Sequence, residues 1–229
     1  MIPQDSALYL VISEEYALGR KASDIALAAA QGGVQLIQMR EKNLPRHELL
    51  GLGRCLKNIC AQYEVIFIVN DDPVLALACD ADGVHVGQED VDLYGGIDGV
   101  RKIIGRKIIG ISTHSLEQVD VASRTDVDYI AFGPVFPTKT KNYSIGISDI
   151  GAAMRLSCKP LFVIGGINIA NLDEVLAAGA RRVAVIRDIV QAEDISQRTA
   201  EYIVKMKGGV YGDNYQREAG DRRYGRDVV

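Results

Sequence analysis

Asp128-Tyr129-Ile130-Ala131-Phe132-Gly133-Pro134-Val135-Phe136-Pro137-Thr138-Lys139-Thr140-Lys141 is the stretch from which the rest of the chain can be read. An apolar run that reads as a buried strand passes through Gly133, Pro134 and Pro137 into two hydroxyls and two ammonium groups, Thr138 to Lys141. The result is a compact donor site for an anion with several oxygens, set just beyond a strand end. Short basic loops are commonly nothing more than solvated surface. The weight of this one depends on what the other strand ends carry.

The same texture recurs along the chain. Apolar runs lie at Leu8–Ile12, Val34–Ile37, Val65–Val69, Gly83–Val86, Lys107–Ile111, Tyr129–Phe132, Leu161–Ile164 and Val183–Ile186. They are continuous rather than alternating, as parallel strands covered on both faces require. Between them, helical spacing appears at Ala22–Gly32, Arg46–Gln62, Pro73–Ala78, Ile97–Ile104, Leu116–Arg124, Ile147–Leu156 and Asn171–Ala178. Eight strand-like runs separated by helices predict a single α/β domain, a (β/α)8 TIM barrel, over residues 1–207. A doubly wound open sheet alternates in the same way, but this many parallel strands in one small domain favour closure. From 208 to 229 the chain loses aliphatic periodicity and mixes glycine with charges of both signs, which reads as a mobile tail.

Composition narrows the function. The formal net charge of -4 argues against broad nucleic-acid or membrane-surface binding, so any anion must be held by a local cluster. No run approaches a membrane span, and the N-terminus lacks the pattern of a secretory signal. Cys55, Cys60, Cys79 and Cys158 form no CxxC pair and read as reduced thiols, which suits a cytoplasmic protein. Self-association through barrel helices is common for this architecture, and the sequence does not set a number of subunits.

In a closed barrel the chemistry sits where strands end and βα loops begin. Those ends read Gln38-Met39-Arg40-Glu41-Lys42, Asn70-Asp71-Asp72, Gly87-Gln88-Glu89-Asp90, Ser112-Thr113-His114, the basic loop above, Gly165-Gly166-Ile167 and Arg187-Asp188. Asp71 and Asp90 follow neighbouring strands. Close carboxylates repel unless they share a proton or a cation, and Mg²⁺ takes one or two carboxylates while completing its shell with water and phosphate oxygens. The competing reading is that either aspartate caps the next helix. Paired glycines at 165 and 166 let backbone N–H groups approach an anion, at a place where this architecture often binds phosphate. Asp82 and His85 read as structural, with His85 packed in the barrel or its shell, and His47 as helix surface. His114 and Ser112 show no partner arrangement for a hydrolase triad.

IQMREK, VND, DGVHVGQED, IIGIST, DYIAFGPVFPTKTK, VIGGI and AGARRVAVI stand here in an order and spacing that resemble the thiamine phosphate synthase family, over roughly residues 8–205. The resemblance implies a transferase that joins an aminopyrimidine methyl diphosphate to a thiazole phosphate, releasing pyrophosphate. It implies that Gln38, Arg40, Lys42 and Asn70 contact the pyrimidine diphosphate and that Asp71 and Asp90 hold Mg²⁺. Ser112, Thr140 and Lys141 would grip the pyrophosphate. Thr138 and Gly166 would meet the thiazole phosphate, with the backbone of Ile186 and Arg187 close by. Ser112, Lys141, Arg40 and Lys42 would carry the catalytic burden.

One residue departs from the family pattern. A small residue, often serine, usually follows the last strand, whereas here it is Arg187. Arginine there either grips the thiazole phosphate or pairs with Asp188 and crowds the site. Three rival readings remain: a thiazole tautomerase with His114 as proton shuttle, a non-catalytic binding protein with Arg187 as its signature, and a sugar-phosphate epimerase. Retention of Arg40, Lys42, Asp71, Asp90 and the full PTKTK run favours the synthase.

Overall fold

The apolar runs do form a closed parallel barrel. The computed structural model describes residues 2–3, 7–138 and 143–221, with 209–221 given as helical backbone. The elements run β1 (Leu8–Ile12), a 3-10 turn (Glu14–Tyr16), α1 (Ala22–Gln31), β2 (Leu36–Met39), α2 (Arg46–Gln62), β3 (Ile66–Asn70), α3 (Pro73–Ala78), β4 (Gly83–Val86), α4 (Gln88–Asp92), α5 (Gly96–Ile104), β5 (Ile108–Thr113), α6 (Leu116–Ser123), β6 (Tyr129–Phe132), α7 (Ile150–Leu156), β7 (Leu161–Ile164), α8 (Leu172–Ala177), β8 (Val183–Val185), α9 (Arg187–Val190) and α10 (Ile195–Asp221). The strands pair in sequence order, and β1 pairs with β8 through Leu8↔Val183, Tyr9↔Ala184 and Leu10↔Val185, so the sheet has no open edge.

Successive side chains on each strand point to opposite faces. One set, including Leu8, Leu10, Ile37, Phe67, Val84, Ile109, Ile130, Val163 and Val183, joins the helices in a continuous core. The alternate set, Tyr9, Leu36, Ile68, Ile108, Tyr129, Phe162 and Ala184, packs as a separate cluster with Ile2. Three of its rings meet edge to face, with centroids 5.8 Å apart for Tyr9–Tyr129, 5.4 Å for Tyr9–Phe162 and 5.6 Å for Tyr129–Phe162. Space for the Tyr129 ring comes from Gly110 on the next strand: a Cβ there would lie 2.0 Å from Tyr129 Cζ.

Several strands extend beyond their apolar runs. Gln38 pairs with Val11 and Ile68, Asn70 with His85, and Ser112 with Ala131, so polar residues stand within the ladder. Hydropathy ends these strands early because their upper inward positions face a polar site. The short helices α4 and α9 have too few turns to leave a periodic signal, and α7 begins three residues later than the apolar pattern suggests. Helix α10 passes through 208–221, the segment whose composition suggests a mobile tail, and 222–229 lie outside the described residues.

Half-buried carboxylates brace the N-terminal end of the barrel. Asp128, just before β6, accepts from the Ile109 N–H at 2.9 Å and from Arg101 at 3.0 Å. Asp82, just before β4, accepts from the Phe67 N–H at 2.9 Å and pairs with Lys57 at 2.6 Å. Barrel enzymes carry their chemistry at the opposite, C-terminal end, which leaves this end free to serve stability. Asp128→Ala is therefore expected to lower stability by about 2 kcal/mol, which corresponds to roughly 4–8 °C in Tm. Turnover well below the melting temperature should stay within twofold, and a larger loss of turnover would contradict this division of labour.

Candidate active site

The carboxylates that follow β3 and β4 do come together. Asp72, not Asp71, caps α3: its side chain accepts from the Leu75 N–H at 2.7 Å, and Pro73 occupies the first helical position. Asp90 lies inside α4, whose cap residue is Gly87. Neither Asp71 nor Asp90 is thus used as a helix cap. Asp71 adopts φ +61, a left-handed conformation that aspartate tolerates better than most residues. Its N–H donates to the His85 carbonyl at 2.7 Å, and Tyr94 OH donates to its carbonyl at 3.2 Å. The Asn70 amide donates to its carboxylate.

The Asp71 and Asp90 carboxyls lie within hydrogen-bonding reach of each other. Burial pushes the Asp71 pKa up, and the Asp90 charge pushes it further. The Lys42 ammonium and the Gly87 N–H oppose the shift. Gly87 also makes room for the pair, since a Cβ there would lie 2.7 Å from Asp90 Oδ2. Two like-charged, partly desolvated oxygen donors fit a hard divalent cation that keeps several ligands of its own. No group of three or more His, Cys, Asp and Glu side chains gathers as a metal cage among the described residues.

Around this pair the strand ends supply donors. Gln38 is buried on β2, and its amide donates to Tyr9 OH at 2.5 Å. Arg40 follows β2 and its N–H donates to the Ile12 carbonyl at 2.9 Å. Ser112 is partly exposed near the end of β5, where Oγ lies 2.9 Å from His85 Nε2 and the carbonyl accepts from Gln88 at 2.6 Å. His114 Nδ1 lies 2.5 Å from the Gly133 carbonyl, and its N–H donates to Gln118 at 2.6 Å. The ring thus braces the loop after β6. Thr140 and Lys141, with Lys139, lie outside the described residues.

A cavity opens at the same end of the barrel, beyond β7 and β8. Thr138, Gly165, Gly166, Ile186 and Arg187 line a cavity of about 570 Å³. Both glycines have positive φ, +107 at Gly165 and +66 at Gly166. They also lie under the loop from β6: a Cβ would meet Pro134 Cα at 2.3 Å from Gly165 and Phe136 Cβ at 2.7 Å from Gly166. Only glycine satisfies both the backbone angle and the contact. Arg187 does not pair with Asp188. Its guanidinium lies over the Tyr16 ring at 4.4 Å, forming part of the wall. Asp188 is instead held by Arg198 at 3.0 Å, Tyr202 OH at 2.9 Å and the Ile169 N–H at 3.1 Å. Arg20 closes the same corner by donating to the Val190 and Ala192 carbonyls at 2.9 and 2.7 Å.

His85, Tyr9 and Tyr129, linked by hydrogen bonds below Ser112, were not legible as site residues. The available signal was a phenol in each of two otherwise apolar strands, since a buried hydroxyl needs a partner.

This is a (β/α)8 barrel whose strands carry, at their C-terminal ends, a carboxylate pair, several polar side chains and a glycine-lined cavity. That is the end at which barrel enzymes build their active sites. The family model described as thiamine monophosphate synthase matches residues 8–189. A thiamine-phosphate synthase from Persephonella marina is 38% identical over 198 residues, covering 85% of this chain and 93% of the relative. One from Shouchella clausii is 40% identical over 206 residues, covering 87% and 96%. The structure of thiamine phosphate pyrophosphorylase from Pyrococcus furiosus superposes with a TM-score of 0.82 at 33% identity, covering 90% of this chain and 97% of that one. The chain belongs to the thiamine phosphate synthase family, whose enzymes are transferases of thiamine biosynthesis.

The carboxylate pair makes its own prediction. Asp71→Asn removes one of two adjoining charges, so the metal-free protein should melt about 2 °C higher than the wild type. The same variant should lose any rise in Tm produced by millimolar Mg²⁺. A lower Tm without metal would show that the two carboxyls do not strain each other.

Proposed function

We propose that the site condenses 4-amino-2-methyl-5-(diphosphomethyl)pyrimidine with 4-methyl-5-(2-phosphoethyl)thiazole, giving thiamine phosphate and pyrophosphate. The observation that carries this reading is the presence of two polar subsites at one end of the barrel. The Asp71–Asp90 pair with Lys42 and Ser112 suits a diphosphate, and the glycine-lined cavity with Thr138 and Arg187 suits a phosphate monoester. Family membership supports the same pair of substrates.

Asp71 and Asp90 would hold Mg²⁺, which supplies positive charge next to the diphosphate when bound. Arg40, Lys42 and Lys141 would supply further cations, and Ser112 and Thr140 hydroxyl donors, for the charge that accumulates as the C–O bond breaks. The bonding pair leaves with pyrophosphate. Gln38 and Asn70 orient the aminopyrimidine, whose electron-rich ring shares the positive charge left on its methylene. The thiazole nitrogen then donates its lone pair to form the new C–N bond. It carries no proton to lose, so no general base is required.

Holding that nitrogen over the methylene is an orientation task for the two anion sites. Thr138, the Gly166 N–H and the backbone at Ile186 and Arg187 would fix the thiazole phosphate. Arg187 adds a guanidinium to that wall without sealing the cavity. These are small soluble substrates, consistent with a cytoplasmic enzyme, and no helix among the described residues is long and apolar enough to cross a membrane.

The test supplies both substrates with Mg²⁺ and follows thiamine phosphate and pyrophosphate together. Chelation of the metal should abolish turnover, and Mg²⁺ should restore it. Asp71→Ala and Lys141→Ala should each lose on the order of 100- to 1000-fold in kcat. His114→Ala should stay within about tenfold, because a proton shuttle would cost 100-fold or more. A wild-type protein that releases no pyrophosphate, and whose turnover of the thiazole phosphate alone is abolished by His114→Ala, would instead support the tautomerase.

A further inference from the structure

A single run of hydrogen bonds passes through the barrel interior from Gln38 to Ser112. Gln38 Nε2 donates to Tyr9 OH at 2.5 Å, and Tyr9 OH lies 2.8 Å from Tyr129 OH. Tyr129 OH lies 3.0 Å from His85 Nδ1, and His85 Nε2 lies 2.9 Å from Ser112 Oγ. Gln38, Tyr9, Tyr129 and His85 are all buried, while Ser112 is partly exposed at the rim.

Each hydroxyl in such a chain has one proton to give, so a choice made at one end propagates to the other. The Gln38 amide nitrogen can only donate. Tyr9 oxygen therefore accepts, and its proton points to Tyr129. Tyr129 oxygen accepts that proton and directs its own to His85 Nδ1. A neutral imidazole that accepts at Nδ1 carries its proton on Nε2, which then faces Ser112 Oγ. With its oxygen accepting from His85, the Ser112 O–H is left to point out of the barrel, into the site.

The surroundings sustain this order. Burial pushes the His85 pKa down to about 4, so the ring is neutral at physiological pH. Burial also pushes both phenols up, so each keeps its proton. Stacking against the Tyr129 ring, with centroids 5.5 Å apart and planes 27° apart, fixes the His85 orientation. Gly110 admits the Tyr129 ring that makes the link.

We propose that Tyr9, Tyr129 and His85 are positioning residues that orient the Ser112 hydroxyl as an outward hydrogen-bond donor to the departing pyrophosphate. The proposal rests on the role given to Ser112 above, but its proton order is a separate physical claim. In the opposite order, with the Gln38 amide turned, every proton reverses. His85 then carries its proton on Nδ1, and Ser112 points its proton inward.

Histidine ¹⁵N NMR of the ligand-free protein at neutral pH separates the two orders, with His47→Gln and His114→Gln variants assigning the His85 ring. The Nε2–H tautomer is expected, and an Nδ1–H tautomer overturns the proposal. The kinetic arm is a double-mutant cycle. Tyr129→Phe should lower kcat about tenfold with KM for the pyrimidine diphosphate little changed. In a Ser112→Ala background the same substitution should cost less than twofold. An equal loss in both backgrounds would mark Tyr129 as merely structural and overturn its positioning role. If Tyr129→Phe does not fold, Tyr9→Phe takes its place in the cycle with the same expectation. A wild-type protein that releases no pyrophosphate would remove the assigned reaction, and the tautomer would then decide the proton order alone.

Discussion

Pairing of β1 with β8 is the constraint on which the site depends. Leu8, Tyr9 and Leu10 lock onto Val183, Ala184 and Val185, and that short seam turns a twisted sheet into a ring. Closure places residues distant in sequence, such as Lys42, Asp90, Ser112 and Gly166, at the C-terminal ends of strands around one axis. It also creates an interior that must be filled. Three aromatic rings, Tyr9, Tyr129 and Phe162, fill it together with Leu36, Ile68 and Ile108, and two of the rings bring hydroxyls with them.

Those hydroxyls link packing to chemistry. A buried phenol without a partner costs more than its hydrogen bond would contribute, so Tyr9 and Tyr129 need acceptors and donors inside the barrel. Gln38 and His85 provide them, and Ser112 completes the series at the surface. The interior is thus apolar toward the N-terminal end and polar toward the site. The change takes place within single strands, as in β5, where Ile108 lies in the apolar cluster and Ser112 bonds to His85.

The rim shows the opposite balance between stability and function. Asp71 and Asp90 oppose each other in the absence of a cation, and Asp71 occupies a left-handed backbone conformation to reach its place. Such strain persists only where the surrounding structure holds it. The His85 carbonyl, Tyr94, Asn70 and the Gly87 N–H all act on Asp71. At the glycine-lined cavity, Gly165 and Gly166 accept positive φ so that the β6 loop can lie against them, while Asp188, Arg198 and Tyr202 pin α9 behind it.

Much of this was legible residue by residue. Continuous apolar runs specify strands covered on both faces, and helical spacing specifies the covering layer, because both patterns follow from local backbone geometry. The polar strand ends and the glycine pair were visible for the same reason. Three matters were decided only in three dimensions. Asp72 rather than Asp71 became the helix cap, a choice between adjacent carboxylates that depends on where the chain turns. Arg187 settled on Tyr16 rather than Asp188, because Asp188 was already held by Arg198 and Tyr202 from the distant α10. His85, an isolated histidine in a strand, joined Tyr129 and Ser112, because register across the closed sheet brings together side chains whose positions along the chain show no pattern.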